Sequence, residues 1–308
     1  MLFFLIFLIC IGLFLFGMYL MRSGLFSFSG EKLNRWLFRF TNKPIKGMAA
    51  SIIVTGLLQS SSAVMVITVG LVSAGALTFS QTIGIILGTN IGTTFTAEFM
   101  AFPIEQYTFP LLVLGAFIIG LGRGKVRSIG FVLFGIGTIF TAMRGFKWIA
   151  EPLSSISMVD KGFNLMNDSL IFALVLGMIF TACIHSSSAT IGILMSFLAS
   201  GTISLEASIA AMLGANIGTC ITGWMASIGA KKEAKLTAYA HIWLNIIGVL
   251  LFFPFTKLLG EMASGWASSP AVQLAHSSVV FNIVSSLLVL PFAQRFGQLI
   301  EKIHGKRA

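Results

Sequence analysis

One polar phrase occurs twice in this chain, each time inside an apolar stretch. Gln59-Ser60-Ser61-Ser62-Ala63 returns as His185-Ser186-Ser187-Ser188-Ala189, and Gly88-Thr89-Asn90-Ile91-Gly92-Thr93 returns as Gly214-Ala215-Asn216-Ile217-Gly218-Thr219. The spacing is shared, since 185 − 59 and 216 − 90 both give 126. The same offset aligns Thr55 with Thr181, Gly75 with Gly201, Leu87 with Leu213 and Thr96 with Thr222. Unrelated triple serines would not share a register with unrelated Asn-Ile-Gly-Thr phrases. The chain is an internal duplication, and each copy must build the same unit.

That unit is built in lipid. Hydrophobic residues make up 56% of the chain and charged ones 10%, with a mean hydropathy of +0.95; soluble domains carry roughly 25% charge. Apolar runs of about bilayer-spanning length recur, so the expected fold class is an all-α polytopic membrane protein. Met1 to Met21 has no basic residue ahead of it and no small-residue cleavage site after it, and reads as a retained span rather than a signal peptide. Cys10, Cys183 and Cys220 all lie in apolar runs, where small-residue packing is the default role. The net charge of +10 does not call for nucleic acid. Of 20 Lys and Arg residues, 16 fall in Arg22–Lys46, Arg123–Arg127, Lys231–Lys235 and Arg295–Arg307, the pattern of cytoplasmic loops.

In chain order, the first copy is expected over residues 1–122 and the second over 127–257, with a last span and short basic tail over 275–308. Lys32–Phe40 is expected to lie on the membrane surface, with Leu33, Trp36, Leu37 and Phe40 on one face and Lys32, Arg35, Arg39 and Lys43 on the other. Residues 47–78 are too long for one span and too short for two, so a re-entrant helical hairpin with Gln59 to Ser62 at its tip is expected. A matching hairpin is expected over 169–204. Glycines within 81–97 and 207–224 predict transmembrane helices broken midway. Glu98 to Gln106 and Arg144 to Asp168 are expected outside, and Glu206 in a loop at the outer mouth. Three crossings per unit make the two copies inverted-topology repeats, with the N-terminus outside and the C-terminus cytoplasmic.

Inverted repeats with broken elements are the construction of secondary transporters. Between Gly47 and Ala97 there is no charged side chain, and between Ser169 and Ala230 only Glu206. What remains is hydroxyls and amides. Free backbone N–H groups at hairpin tips suit an anion, and exposed carbonyls with Ser, Thr, Asn and Gln oxygens suit a small hard cation such as Na⁺. An isolated anion in such a site costs on the order of tens of kcal/mol by Born estimates. With no Lys or Arg in the repeats to neutralise it, co-bound cations are expected.

These paired phrases make the chain resemble the type II sodium–phosphate cotransporter family, over roughly Gly47–Ala97 and Ser169–Ala230. The resemblance implies inorganic phosphate as substrate, Na⁺ as coupling ion in place of any cofactor, and a short form without the C-terminal regulatory domain of many bacterial relatives. It implies that Ser60, Ser61, Ser62, Ser186, Ser187, Ser188, Thr93 and Thr219 line the phosphate site. Gln59, Thr89, Asn90, His185 and Asn216 are the expected sodium ligands. His185 stands where the family has Gln; a neutral imidazole can replace the amide as a ligand, and it can also take up a proton near neutral pH.

The alternative role for the serine triplets is small-residue helix packing, and for Asn90 and Asn216 a cap at the helix break. His241 and Asn245, four apart on one helical face, read as an interhelical hydrogen bond, as does His276. The rival functions are a phosphate efflux path or uncoupled anion channel, and an intramembrane serine hydrolase, although nothing resembles a Gly-x-Ser-x-Gly elbow. Beyond phosphate, Na⁺ and the bilayer, a homodimer is the candidate assembly, since transporters of this build often pair through peripheral helices.

Overall fold

The computed structural model describes residues 2–39 and 43–305, with backbone alone over 28–39. Among these residues there are fourteen α-helices and no strand. Over residues 1–122, where the first copy is expected, lie α1 (Leu2–Arg39), α2 (Pro44–Leu58), α3 (Ser61–Ser73), α4 (Phe79–Ala101) and α5 (Thr108–Leu121). Over the stretch expected as the second copy lie α6 (Lys125–Ser154), α7 (Ser157–Asp168), α8 (Leu170–Ile184), α9 (Ser187–Ala199), α10 (Leu205–Ala226) and α11 (Lys232–Phe252). Then come α12 (Thr256–Trp266), α13 (Pro270–Val289) and α14 (Ala293–His304). Shifted by 126 residues, α2 and α3 coincide with α8 and α9 at both ends, and α4 coincides with α10 to within one residue. Similar sequence has made the same elements.

Among the described residues, five stretches are long and apolar enough to cross a membrane, or up to seven when each of two bent helix pairs is taken as one span. The protein is a multi-pass helical membrane protein. α2 and α3, with 15 and 13 residues, are about 22 and 20 Å long at 1.5 Å per residue. Neither reaches across a hydrocarbon core of roughly 30 Å. α2 starts on Pro44, placed where its missing N–H is no loss, and α3 starts on a serine cap.

Several expectations are corrected. The helix through Gly88–Thr93 is unbroken, as is that through Gly214–Thr219. An interior glycine costs only about 1 kcal/mol relative to alanine, whereas breaking a helix in lipid strands backbone groups at several kcal/mol each. The glycines serve close approach instead. A Cβ at Gly88 would strike the Met48 carbonyl and one at Gly92 would lie 2.5 Å from Thr55 Cβ; in the second copy Gly214 faces the Leu174 carbonyl and Gly218 that of Met178. Chain bends fall elsewhere: 74° between α4 and the segment containing α5, and 119° between α7 and α8. Glu98 is not in a loop, because α4 runs to Ala101, and Glu206 lies in the first turn of α10, where the helix dipole favours an acid. The backbone of α1 continues as helix to Arg39, and the facial arrangement expected over Lys32–Phe40 falls outside the described side chains.

The copies interlock. α2 packs on α4 and α8 on α10, but α3 also packs on α10 and α9 on α4. Each serine-capped helix thus touches the long helix of the other copy. Between apolar helices in lipid, close packing and polar bonds drive association more than burial does. α1 and α6 show this: a Cβ at Gly17 would come within 2.9 Å of the Gly135 carbonyl, and one at Gly135 within 2.6 Å of Gly17. α13 adds a polar tie, Ser286 Oγ donating to the Leu87 carbonyl at 3.1 Å. α14 buries Ala293, Phe296 and Ile300 against α4 and α11, and His304 accepts from Trp243 Nε1 at 2.9 Å.

Candidate functional site

Both hairpin tips are two residues long and have the same backbone. Gln59 (φ 52, ψ 31) and His185 (φ 55, ψ 26) are the only non-glycine residues with positive φ among those described. A left-handed non-glycine residue costs about 1–2 kcal/mol, and such strain recurs at functional sites. The next residues, Ser60 and Ser186, are extended, and their hydroxyl oxygens accept from Ala63 N and Ala189 N, each at 3.2 Å. The first serine of each triplet is therefore an N-cap. Ser61, Ser62, Ser187 and Ser188 form no side-chain hydrogen bond with other described residues, and their N–H groups belong to a first helical turn that has no intrahelical acceptor. Each tip offers two hydroxyls and two amides at the positive end of a helix, which suits an oxyanion.

The surroundings of the tips differ. At the second, Ser186, Ser187 and Ser188 are 7%, 8% and 5% exposed while His185 is exposed. At the first, Ser61 is 9% exposed and Gln59, Ser60 and Ser62 are half-buried. Gln59 Nε2 donates to the Gly56 carbonyl, leaving Oε1 buried without a partner. Thr181 and Thr190 hydrogen-bond at 2.7 Å behind the second tip, whereas Thr55 Oγ1 has no partner behind the first, where Val64 replaces the second threonine.

On the long helices, Thr89, Thr93 and Thr219 donate their hydroxyl protons to the carbonyls of Ile85, Thr89 and Ala215. Their oxygens remain acceptors, a set suited to a cation. Asn216 Nδ2 bonds within its own helix to Met212 O at 2.9 Å, while Asn90 Nδ2 reaches Asn245 Oδ1 of α11 at 3.4 Å. The polar residues of α4 and α3 adjoin, with Thr89 Oγ1 3.9 Å from Met65 Sδ. Asn245 thus makes the expected interhelical bond. The His241 side chain does not: its buried Nδ1 has no partner, and only its backbone carbonyl is engaged, accepting from Cys220 Sγ at 3.6 Å.

Two features escaped sequence reasoning. Arg22 Nε donates to the Gln59 carbonyl at 2.8 Å, so the first tip does have a neighbouring guanidinium. The signal was present: Arg22 is the only charge in the first 30 residues, and apolar residues continue beyond it. The other is His276 Nδ1, 2.8 Å from Glu98 Oε1, the one ion pair among the described residues. A cleft of about 810 Å³ is lined by Met100, Arg144, Lys147 and Ser196 among others and touches neither triplet. It lies at the other end of α9 from Ser187. A groove of about 420 Å³ does reach the first tip, at Gln59, and is lined on another side by Glu98 of α4.

Paired polar tips in a duplicated, multi-pass helical protein define a small-solute transporter. The model of the Na⁺/Pi-cotransporter family matches residues 13–147 and 155–268, and the chain belongs to that family. YqeW of Bacillus subtilis (strain 168), an uncharacterised protein, is 46% identical over 79% of this chain and 79% of its own length. YjbB of Escherichia coli (strain K12), named as a candidate inorganic phosphate exporter, is 27% identical over 80% of this chain and 46% of its own length. The human sodium-dependent phosphate transport protein 2B is 26% identical over 45% of this chain and 20% of its own length. This chain thus spans under half of YjbB. No solved structure matches the chain.

Proposed function

We propose that the protein is a sodium-coupled inorganic phosphate symporter working by alternating access, with two inverted repeats meeting around the substrate at mid-membrane. The twin tips carry this reading: Ser61, Ser62, Ser187 and Ser188 hold unspent hydroxyl donors beside unspent amides, the complement of a phosphate oxygen. The acceptor set, Gln59 Oε1 with the oxygens of Thr89, Thr93, Asn90, Asn216 and Thr219 and the ring of His185, suits Na⁺. Thr93 and Thr219 move to the cation side, because their protons are already donated. A phosphate dianion facing one guanidinium still has unmatched negative charge, so cation coupling keeps its electrostatic rationale.

Radiolabelled phosphate uptake into proteoliposomes tests this. Uptake should rise steeply with an inward Na⁺ gradient and collapse when K⁺ replaces Na⁺; uptake indifferent to the gradient would leave an uncoupled path. Export is a second reading, favoured by the similarity to YjbB. Cells overproducing the protein should then release phosphate faster than controls, and under the import reading they should accumulate it.

A further inference from the structure

Arg22 is a cation in the midst of apolar sequence. Its one hydrogen bond among the described residues is to a neutral carbonyl, that of Gln59, at 2.8 Å, and no described carboxylate pairs with it. The carbonyl end of α2 is the negative end of a helix dipole and offsets part of the charge. An ionisable residue at such a place marks a functional site by default. A guanidinium has five N–H donors in a planar fork. Nε occupies the carbonyl, and the four N–H groups on the two Nη atoms have no partner among the described residues. Two and three residues beyond that carbonyl stand Ser61 and Ser62 with their free hydroxyls and amides. The duplication makes no second copy of this charge: 126 residues after Arg22 is Trp148, which is exposed.

We propose that Arg22 is the cationic ligand of the oxyanion at the first tip, its Nη N–H groups binding phosphate oxygens together with Ser61 and Ser62 while Nε holds the tip in place. This rests on the phosphate reading above. The test is binding of radiolabelled phosphate to purified protein in nanodiscs, for the wild type, Arg22→Lys and Arg22→Gln, with melting temperatures measured alongside. Arg22→Gln should raise the phosphate Kd by about ten- to a hundredfold, the loss of a charge-assisted fork, and Arg22→Lys by less, since charge without the fork remains. If Arg22 merely capped α2, both variants would melt earlier yet bind phosphate with the wild-type Kd, and the proposal would fall. Wild-type protein that binds no phosphate would overturn the functional reading itself. Should Arg22→Gln fail to fold, phenylglyoxal modification of the wild type decides: saturating phosphate should slow modification of Arg22, read by mass spectrometry. An unchanged rate overturns the assignment.

Discussion

The two hairpin tips share one backbone and live in different surroundings. Gln59 and His185 agree within a few degrees in φ and ψ, and Ser60 and Ser186 make the same 3.2 Å cap. Yet the second triplet is packed away and backed by the Thr181–Thr190 bond, while the first is half open, backed by the unsatisfied Thr55 and gripped by Arg22. Local sequence sets local geometry. Chemical character is set by what the rest of the molecule brings alongside, so twin tips can divide labour, one holding charge and the other a packed frame.

The largest effect tests what the copies share. Gly88→Leu and Gly214→Leu each drive a side chain into a facing carbonyl, and both should destabilise by about 3 kcal/mol or more, read as loss of monodisperse protein on size exclusion. If one were tolerated, the copies would not share their close helix contact. Ser61→Ala and Ser187→Ala come next: each removes a hydrogen bond to a charged ligand worth about 1.5–3 kcal/mol. Transport kcat/KM should fall about ten- to a hundredfold with melting temperature little changed. Normal transport by both would remove the serines from the site.

Smaller effects probe what differs. Thr190→Val should leave Thr181 unpaired, as Thr55 already is, and lower stability by about 1–3 kcal/mol; Val64→Thr should give Thr55 a partner and raise stability by about 1 kcal/mol. Thermal melts that moved the other way would show that the Thr pair is not what separates the tips. Smallest, His185→Gln restores the residue type of the first tip and puts an amide oxygen in place of the ring as a cation ligand. Transport should keep its Na⁺ dependence; loss of it would show that the ring and the amide are not interchangeable at this tip.

Much of the fold was legible because the signals are local. Short apolar runs on either side of Gln-Ser-Ser-Ser required two helices and a polar tip, and the first helix ends at Leu58, where the polar phrase begins. No break occurs at Gly88–Thr93 because in lipid no solvent competes for the backbone groups that a break would strand. Glu98 differs from its expected loop for a related reason: a charge at a span's end needs no loop when α4 continues past it and pairs it with His276 of α13.

The sequence by itself determined that there are two copies of one unit, that they lie in a membrane, and that each carries a polar tip between short apolar helices: repetition, hydropathy and polarity are all written in neighbouring residues. Only the tertiary structure decided that α3 leans on α10 and α9 on α4, that Asn90 meets Asn245, and that Arg22 closes on Gln59 across 37 residues. Those contacts join residues far apart in the chain, and their partners are chosen by packing, which no local pattern encodes.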